Sequence, residues 1–256
     1  MKPKFSVNYE ANIVPKTMNP EVSDQLLDEV KFFQKWGYLI VENALTKKQI
    51  NILRDTFDQT FNKNSNTKHI EEGLLDYDER FLFLLDNEPV IKRLKAILGN
   101  CIQLHSATAR LSEPNSSNQN WHRDGPWPVD PDGTPFGSIP GQVNCGYYLD
   151  DLTDENGPIA IVPGSHKALF KPPKENIDFP DQKLITAKAG QAVLFNGWIY
   201  HRGLGNNSNT NRRVCLMCYQ NSWMKSRETF DGTISSNIRK NGTDLQKLLL
   251  GKIDKW

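Results

Sequence analysis

The segment Trp121-His122-Arg123-Asp124-Gly125 sets an imidazole and a carboxylate one residue apart, and Tyr200-His201-Arg202-Gly203 offers a second imidazole far downstream. Side chains alternate along an extended strand, so His122 and Asp124 would share one side of it. Two imidazoles and one carboxylate on one face of a metal ion are the ligand set of non-haem Fe(II) oxygenases, and they leave positions open for a cosubstrate and dioxygen. The same three ligands suit zinc, which would make the site a hydrolase if a general base stood beside it. Asp154 and Glu155 lie in a turn, and no other residue offers itself as that base. An H-x-D triplet alone is a weak signal, since an Asp often does no more than hold a His tautomer. Its weight depends on the elements that carry it.

Those elements are of two kinds. Over residues 1–100 the pattern is mostly helical. Apolar positions at 22, 26, 27, 30 and 33 recur near the helical period, predicting a helix over 21–36 with Gly37 as its stop. A short strand is expected over 37–41. Thr46 reads as the N-cap of a helix carrying Ile50, Leu53, Phe57 and Phe61, followed by a loop over 62–68. Two more helical segments are expected at 78–85 and 88–98, the second closed by Gly99-Asn100. From Cys101 onward short strands alternate with Gly, Pro, Asn and Asp clusters, at 102–111, 142–150, 159–162, 183–187, 192–195 and 212–221. A last helix near 244–250 is expected outside the β core. The chain thus reads as one domain over 1–256. It has a helical flank (1–100), a β core of sandwich or barrel type (101–221) and a helical C-terminal extension (222–256).

At 256 residues the chain can bury a sizeable core. A net charge of +1 points to neither nucleic acid nor an anionic membrane surface as a partner. A mean hydropathy of −0.58 and the lack of a long apolar run argue against a membrane span. The first residues carry no apolar stretch of a secretory signal, and Asp254-Lys255-Trp256 is no peroxisomal address, so a cytoplasmic location is expected. Cysteines at 101, 145, 215 and 218 make no disulfide framework, and Cys215-x-x-Cys218 lacks the second pair that a structural zinc site needs. Spaced by three on a strand, those two thiols point to opposite faces and read as ordinary buried cysteines. The oligomeric state is left open.

Around the H-x-D triplet stands an ordered set of motifs. Asn156-Gly157-Pro158-Ile159-Ala160-Ile161-Val162-Pro163-Gly164-Ser165-His166 is a turn, a buried strand and a Pro-Gly bend. Ala189-Gly190-Gln191-Ala192-Val193-Leu194-Phe195 is a tight turn feeding a strand, His201 follows, and Asn211-Arg212-Arg213-Val214 opens the last strand. His166 follows a turn, needs no metal and is kept outside the triad. Together these motifs, over about 101–221, resemble the phytanoyl-CoA dioxygenase-like family of Fe(II)- and 2-oxoglutarate-dependent oxygenases.

That resemblance implies a double-stranded β-helix (a jelly-roll) flanked by helices. It implies Fe(II) held by His122, Asp124 and His201, with 2-oxoglutarate and O2 as cosubstrates and ascorbate in support. Arg212 falls where the family's arginine grips the distal carboxylate of 2-oxoglutarate, a task that suits a guanidinium fork better than a lysine. Arg213, on the opposite face, reads as a solvated charge. Asn144 is a candidate contact to a cosubstrate carboxylate. Related halogenases carry a small residue in place of the acid, so Asp124 argues for hydroxylation, with desaturation or ring closure as alternatives after the same hydrogen abstraction. Gly203 departs from the small hydroxyl residue many relatives have there. Gly146 replaces an aromatic, which would enlarge the pocket. A jelly-roll binding module without chemistry is disfavoured by the intact triad and arginine.

The expected partner is a small-molecule substrate, with Trp127, Arg110 and Tyr147 as candidate contacts. Arg110, Arg123 and Arg202 flank the motifs and offer charge to an anionic substrate, with solvated surface charge as the plainer reading of each. Trp121, Tyr148, Trp198 and Trp223 read mainly as packing. The Pro- and Gly-rich segment 125–141, directly after the proposed ligands, is expected to act as a lid over the site.

Overall fold

Antiparallel pairing builds two sheets. The computed structural model describes residues 23–64, 67–124, 140–168, 172 and 177–252. Before the first long strand come α1 (Asp24–Trp36), β1 (Tyr38–Val41), α2 (Lys47–Lys63), β2 (His69–Ile70) and α3 (Glu88–Leu98). Then follow β3 (Ile102–Ser112), β4 (Gln142–Tyr148), β5 (Ile159–Ile161), β6 (Lys183–Ile185), β7 (Ala192–Asn196), β8 (His201–Gly203) and β9 (Arg212–Asn221), with α4 (Thr233–Asn241) and α5 (Asp244–Leu249) last. The large sheet has the order β1-β7-β4-β9-β3-β2 and the small one β6-β5-β8.

Strand alternation decides what each face of the large sheet touches. Odd-numbered residues of β4 and β9 (Val143, Cys145, Tyr147, Cys215, Met217 and Tyr219) join Leu26, Phe33, Phe57, Leu94 and Leu249 in one apolar core, so the helices cover that outer face. Tyr38, Val193, Phe195 and Val214 turn the other way and meet Ile159, Ile161 and Ile185 of the small sheet. The result is a double-stranded β-helix flanked by helices, as the sequence predicted.

The helix ends follow from local chemistry. Ser23 Oγ accepts from Leu26 N at 3.1 Å, and Gly37, at φ 82°, closes α1 through its N–H to Phe33 O. Thr46 and Gln49 form a reciprocal capping box at the start of α2, worth about 1 kcal/mol. Residues 79–84 differ from expectation and form a 3-10 helix, whose three-residue turn stacks Phe81 over Leu84, both fully buried. β2, β8 and α4 were not anticipated. The two strands have two and three residues, and α4 buries only Ser235, so none shows a periodic stripe. Polar contacts hold α4, with the Asp76 carboxylate accepting from Ser235 N and Ser235 Oγ at its first turn.

One irregularity matters for the site. The β3–β9 register shifts between Leu104 and Ser106, leaving His105 as a bulge. Ile102 and Leu104 face the helices before it, and Ala107 and Ala109 do so after it. Ser106, Thr108, Arg110 and Ser112 therefore face inward. The bulge is also tied down, because the His105 carbonyl accepts from the backbone N–H of both Arg227 and Glu228. The Glu228 carboxylate returns to Ala107 N at 2.7 Å and Gly73 N at 3.1 Å. Cys215 lies in the outer core and Cys218 on the inner face, both buried as unpaired thiols. Among the described residues, no helix is long and apolar enough to cross a membrane.

Candidate active site

The main chain itself brings the two imidazoles together. His122 N donates to His201 O at 3.0 Å and His201 N to His122 O at 3.1 Å, an isolated antiparallel bridge continuing the β5–β8 pairing. The rings lie 4.3 Å apart between centroids. Asp124 is anchored two residues on, where its N–H meets Gly197 O at 2.6 Å. Its Oδ2 stands 3.3 Å from His201 Nε2, and its Oδ1 stands 3.8 Å from His122 Nε2. The three donor atoms all lie within 4.8 Å of one another.

The tautomers suit a metal. His122 Nδ1 is 2.8 Å from Asn120 O and His201 Nδ1 is 3.0 Å from Ile199 O. A carbonyl only accepts, so each Nδ1 carries the hydrogen and each Nε2 presents its lone pair to the shared point. Burial, then the neighbouring His201, pushes the His122 imidazole below its ordinary value, which favours the neutral form a metal would need. Burial opposes the charge on Asp124, yet the charge and hydrogen bond of His201, then His122 and Asn144, hold its carboxyl down to about 2. His201 is buried too, but Asp124 raises it above its ordinary value. Two imidazole nitrogens and an ionised carboxylate converging on one point fit a divalent iron facial triad.

The same cavity, about 310 Å³ between the sheets, holds Arg212. This guanidinium is 5 % exposed, donates from Nη2 to Gly157 O at 3.1 Å and lies 5.7 Å from the Tyr148 ring. Its Nε has no hydrogen-bond partner, and among the described residues it has no ion pair. Burial lowers its pKa, as expected for a cation whose counter-charge comes from outside the chain. Gly157 makes the fit, since at φ 87° a Cβ there would press Leu204 O at 3.0 Å and Arg212 Nη2 at 3.4 Å. A dicarboxylate reaching from the triad to Arg212 would supply the acceptors and negative charge this cavity lacks.

The Pro163-Gly164-Ser165-His166 bend positions the triad without entering it. Ser165 Oγ accepts from Tyr200 N at 2.8 Å, one residue before His201. His166 Nε2 reaches Gln34 O at 3.1 Å, pinning the bend to the end of α1.

The model of the family described as Phytanoyl-CoA dioxygenase (PhyH) matches residues 33–214. The chain belongs to this family. The L-proline trans-4-hydroxylase of Streptomyces griseoviridis is 24% identical over 237 residues, covering 77% of this chain and 87% of the relative. Dioxygenase ALT11 of Alternaria alternata is 30% identical over 229 residues, covering 75% and 70% respectively. Among solved structures, HygX from Streptomyces hygroscopicus with nickel and 2-oxoglutarate bound superposes with a TM-score of 0.66 at 16% identity, covering 78% of this chain and 89% of HygX. This PhyH protein thus belongs to a dioxygenase family, as the sequence led us to expect, and its structural neighbour HygX holds iron in one structure and nickel with 2-oxoglutarate in another.

Several expected contacts fall elsewhere in this PhyH chain. Tyr147, expected to touch substrate, is an odd-numbered residue of β4 and faces the helices, fully buried with its hydroxyl donating to Leu84 O at 3.2 Å. Tyr148 lines the cavity in its place. Asn144, expected on the cosubstrate, does line the cavity, and there it gives its Nδ2 to Asp124 Oδ2 at 2.9 Å and so orients a proposed metal ligand. Arg213 is no solvated charge, since it clamps Asp58 and Asp150 with hydrogen bonds of 2.7–3.0 Å. Arg123 donates to Ser165 O and Ala168 O over the Tyr200 ring, and buried Arg202 pairs with Asp178 over Trp121. Neither lines the cavity. Arg110 does.

Trp223 is 75 % exposed and so takes no part in the core. Gly146 does not enlarge the pocket, because Tyr148 and Leu216 come within 3.3 and 3.4 Å of where its Cβ would be. At Gly203 the Gln119 side chain fills the space, its Oε1 accepting from Gly203 N at 2.9 Å. Trp127 and residues 125–139 of the expected lid lie outside the described residues. Sequence reading missed His69, His105, Gln142 and Arg227 in the cavity wall. His105 carries no periodic signal because it is a bulge, and His69 gains its place only through the two-residue pairing with β3.

Proposed function

We propose that this enzyme couples oxidative decarboxylation of 2-oxoglutarate to hydroxylation of a small organic molecule, with Fe(II) on His122, Asp124 and His201. The observation that carries the reading is the buried, unpaired Arg212 in the same cavity as the triad. Iron and 2-oxoglutarate, when bound, supply the activation of O2 that yields succinate, CO2 and the oxidised product. The chain's own residues do the rest. Backbone carbonyls fix the imidazole tautomers, and Asn144 fixes the Asp124 rotamer. Arg212 would receive the distal carboxylate bidentately. Tyr148, Ile159, Phe195, Val214 and Leu216 give the cavity an apolar wall. A small-molecule substrate agrees with the size of the cavity and with the relative named for L-proline.

The test is succinate release from 2-oxoglutarate across a panel of small molecules, with Fe(II) and ascorbate present. Release that depends on both iron and 2-oxoglutarate is the expected result. Turnover with zinc alone and no 2-oxoglutarate consumed would put a hydrolase in its place.

A further inference from the structure

Arginines elsewhere in the described structure are partnered. Arg54, Arg80, Arg93, Arg202 and Arg213 pair with carboxylates, and Arg123 with two backbone carbonyls. Besides Arg212, Arg110 is the exception in the cavity. It is half-buried on the inner face of β3, and among the described residues no hydrogen bond or ion pair engages it. Burial lowers its pKa. Directly across the β2–β3 pair stands His69, and Arg227 completes this side of the cavity. Both are exposed at the rim.

The positive charge here is under-compensated. After burial, Arg110 and also Arg227 push the His69 imidazole down against the opposing pull of Glu71. Arg227 gives Nη2 to the Glu71 carbonyl at 3.1 Å, a neutral acceptor. The Glu71 carboxylate is 3.9 Å from His69 Nδ1 and exposed, while the neighbouring Glu228 carboxylate is engaged by two backbone N–H groups. A half-buried guanidinium without a partner in the chain offers its charge to an anion from outside.

The cosubstrate's proposed anchor is the neighbouring Arg212, on β9 opposite Ser112, whereas Arg110 lies on β3 opposite Val214, two register positions away on the same face. Arg110 lines the same cavity as His122, Asp124, His201 and Arg212, so a group bound at Arg110 lies in the chamber of the triad.

We propose that the substrate is a small molecule bearing an oxyanion (a carboxylate or a phosphonate-type group), held by Arg110 and guided in past Arg227 and His69. This rests on the function proposed above. The shared volume of about 310 Å³ limits the substrate to a small one.

The test uses iron-loaded protein without oxygen and with saturating 2-oxoglutarate. Calorimetry would follow matched sets of aliphatic, aromatic and amino-acid carboxylates, phosphonates and carboxamides. The oxyanion members of at least one set are expected to bind about tenfold or more tighter than the amide. R110Q should erase that preference, and R110K should keep part of it. R227Q should weaken oxyanion binding about threefold, with a shallower salt dependence. Affinity for 2-oxoglutarate, titrated separately, should stay unchanged in R110Q and fall in R212Q. Amides binding as well as their acids, no member binding at all, or a preference that survives R110Q would overturn the proposal. So would R110Q weakening 2-oxoglutarate as much as R212Q, which would give Arg110 to the cosubstrate. A wild-type protein that does not bind 2-oxoglutarate at all would instead sink the function reading, and that titration shows it independently.

Discussion

The two faces of the large sheet are built from the same strands and hold opposite contents. On β9, Arg213, Cys215, Met217 and Tyr219 face the helices, while Arg212, Val214, Leu216 and Cys218 face the cavity. Outside, the polar groups that β9 turns to the helices have partners in the chain: Arg213 its two aspartates, Tyr219 the carbonyls of Leu84 and Leu85. Inside, Arg212 Nε, His105 Nδ1 and Gln142 Oε1 have none. A fold that satisfies its polar groups on one face and leaves them open on the other shows where a ligand belongs.

The strongest way to break this contrast is at the triad. His122→Ala should abolish iron-dependent succinate release and lower bound iron, while far-ultraviolet circular dichroism stays that of the wild type. Retained iron and activity would remove His122 from the ligand set.

Next come the two neighbouring arginines. Arg212→Ala is expected to weaken 2-oxoglutarate binding by roughly two orders of magnitude, the effect of losing a buried charge pair of about 2–5 kcal/mol. Arg213→Ala should leave that affinity alone and lower unfolding free energy by about 1–3 kcal/mol, since its partners are structural. Titration calorimetry and urea unfolding separate the two outcomes. A reversal would mean that the strand's faces had been exchanged.

His166 sharpens the contrast from outside the cavity. Burial pushes its imidazole down to about 4, and its Nδ1 has no partner. The unfolded chain therefore takes up the proton first, so this contribution is complete above pH ~6.5 and is lost as the pH falls toward about 4. Its size is of order 2–3 kcal/mol. His166→Gln should flatten the stability curve across that window, and an unchanged slope in urea melts would refute the assignment.

The smallest effect expected is at Tyr219. Removing its hydroxyl in Tyr219→Phe strips the Leu84 and Leu85 carbonyls of a donor, at about 1–2 kcal/mol, with turnover unaffected. A loss of turnover at wild-type stability would show that the outer face takes part in chemistry.

Much of this was legible beforehand, for physical reasons. α3 and β9 match their expected spans because long, strongly periodic segments with clear ends leave little freedom. The alternation on β9 also separated Arg212 from Arg213. The same alternation misled for Tyr147 because both tyrosines of the pair are apolar enough for either face. Asn144 depends on Asp124, brought in from the segment before β4, and Gly146 on Leu216 across from β9, which no local pattern encodes. The cavity's cationic side was legible only at Arg110, since β2 is too short to show a period and Arg227 follows the last strand.

The bulge at His105 has a consequence for how the chain can be shortened. Its carbonyl holds the N–H groups of Arg227 and Glu228, and Glu228 holds Ala107 and Gly73 in return. A protein ending at Asn221 would retain His122, Asp124, His201 and Arg212, yet it would lose this latch and Arg227 with it. Such a truncation would also strip Leu249 and Leu250 from the apolar core, so it should cost the fold itself and not merely open one flank of the substrate chamber.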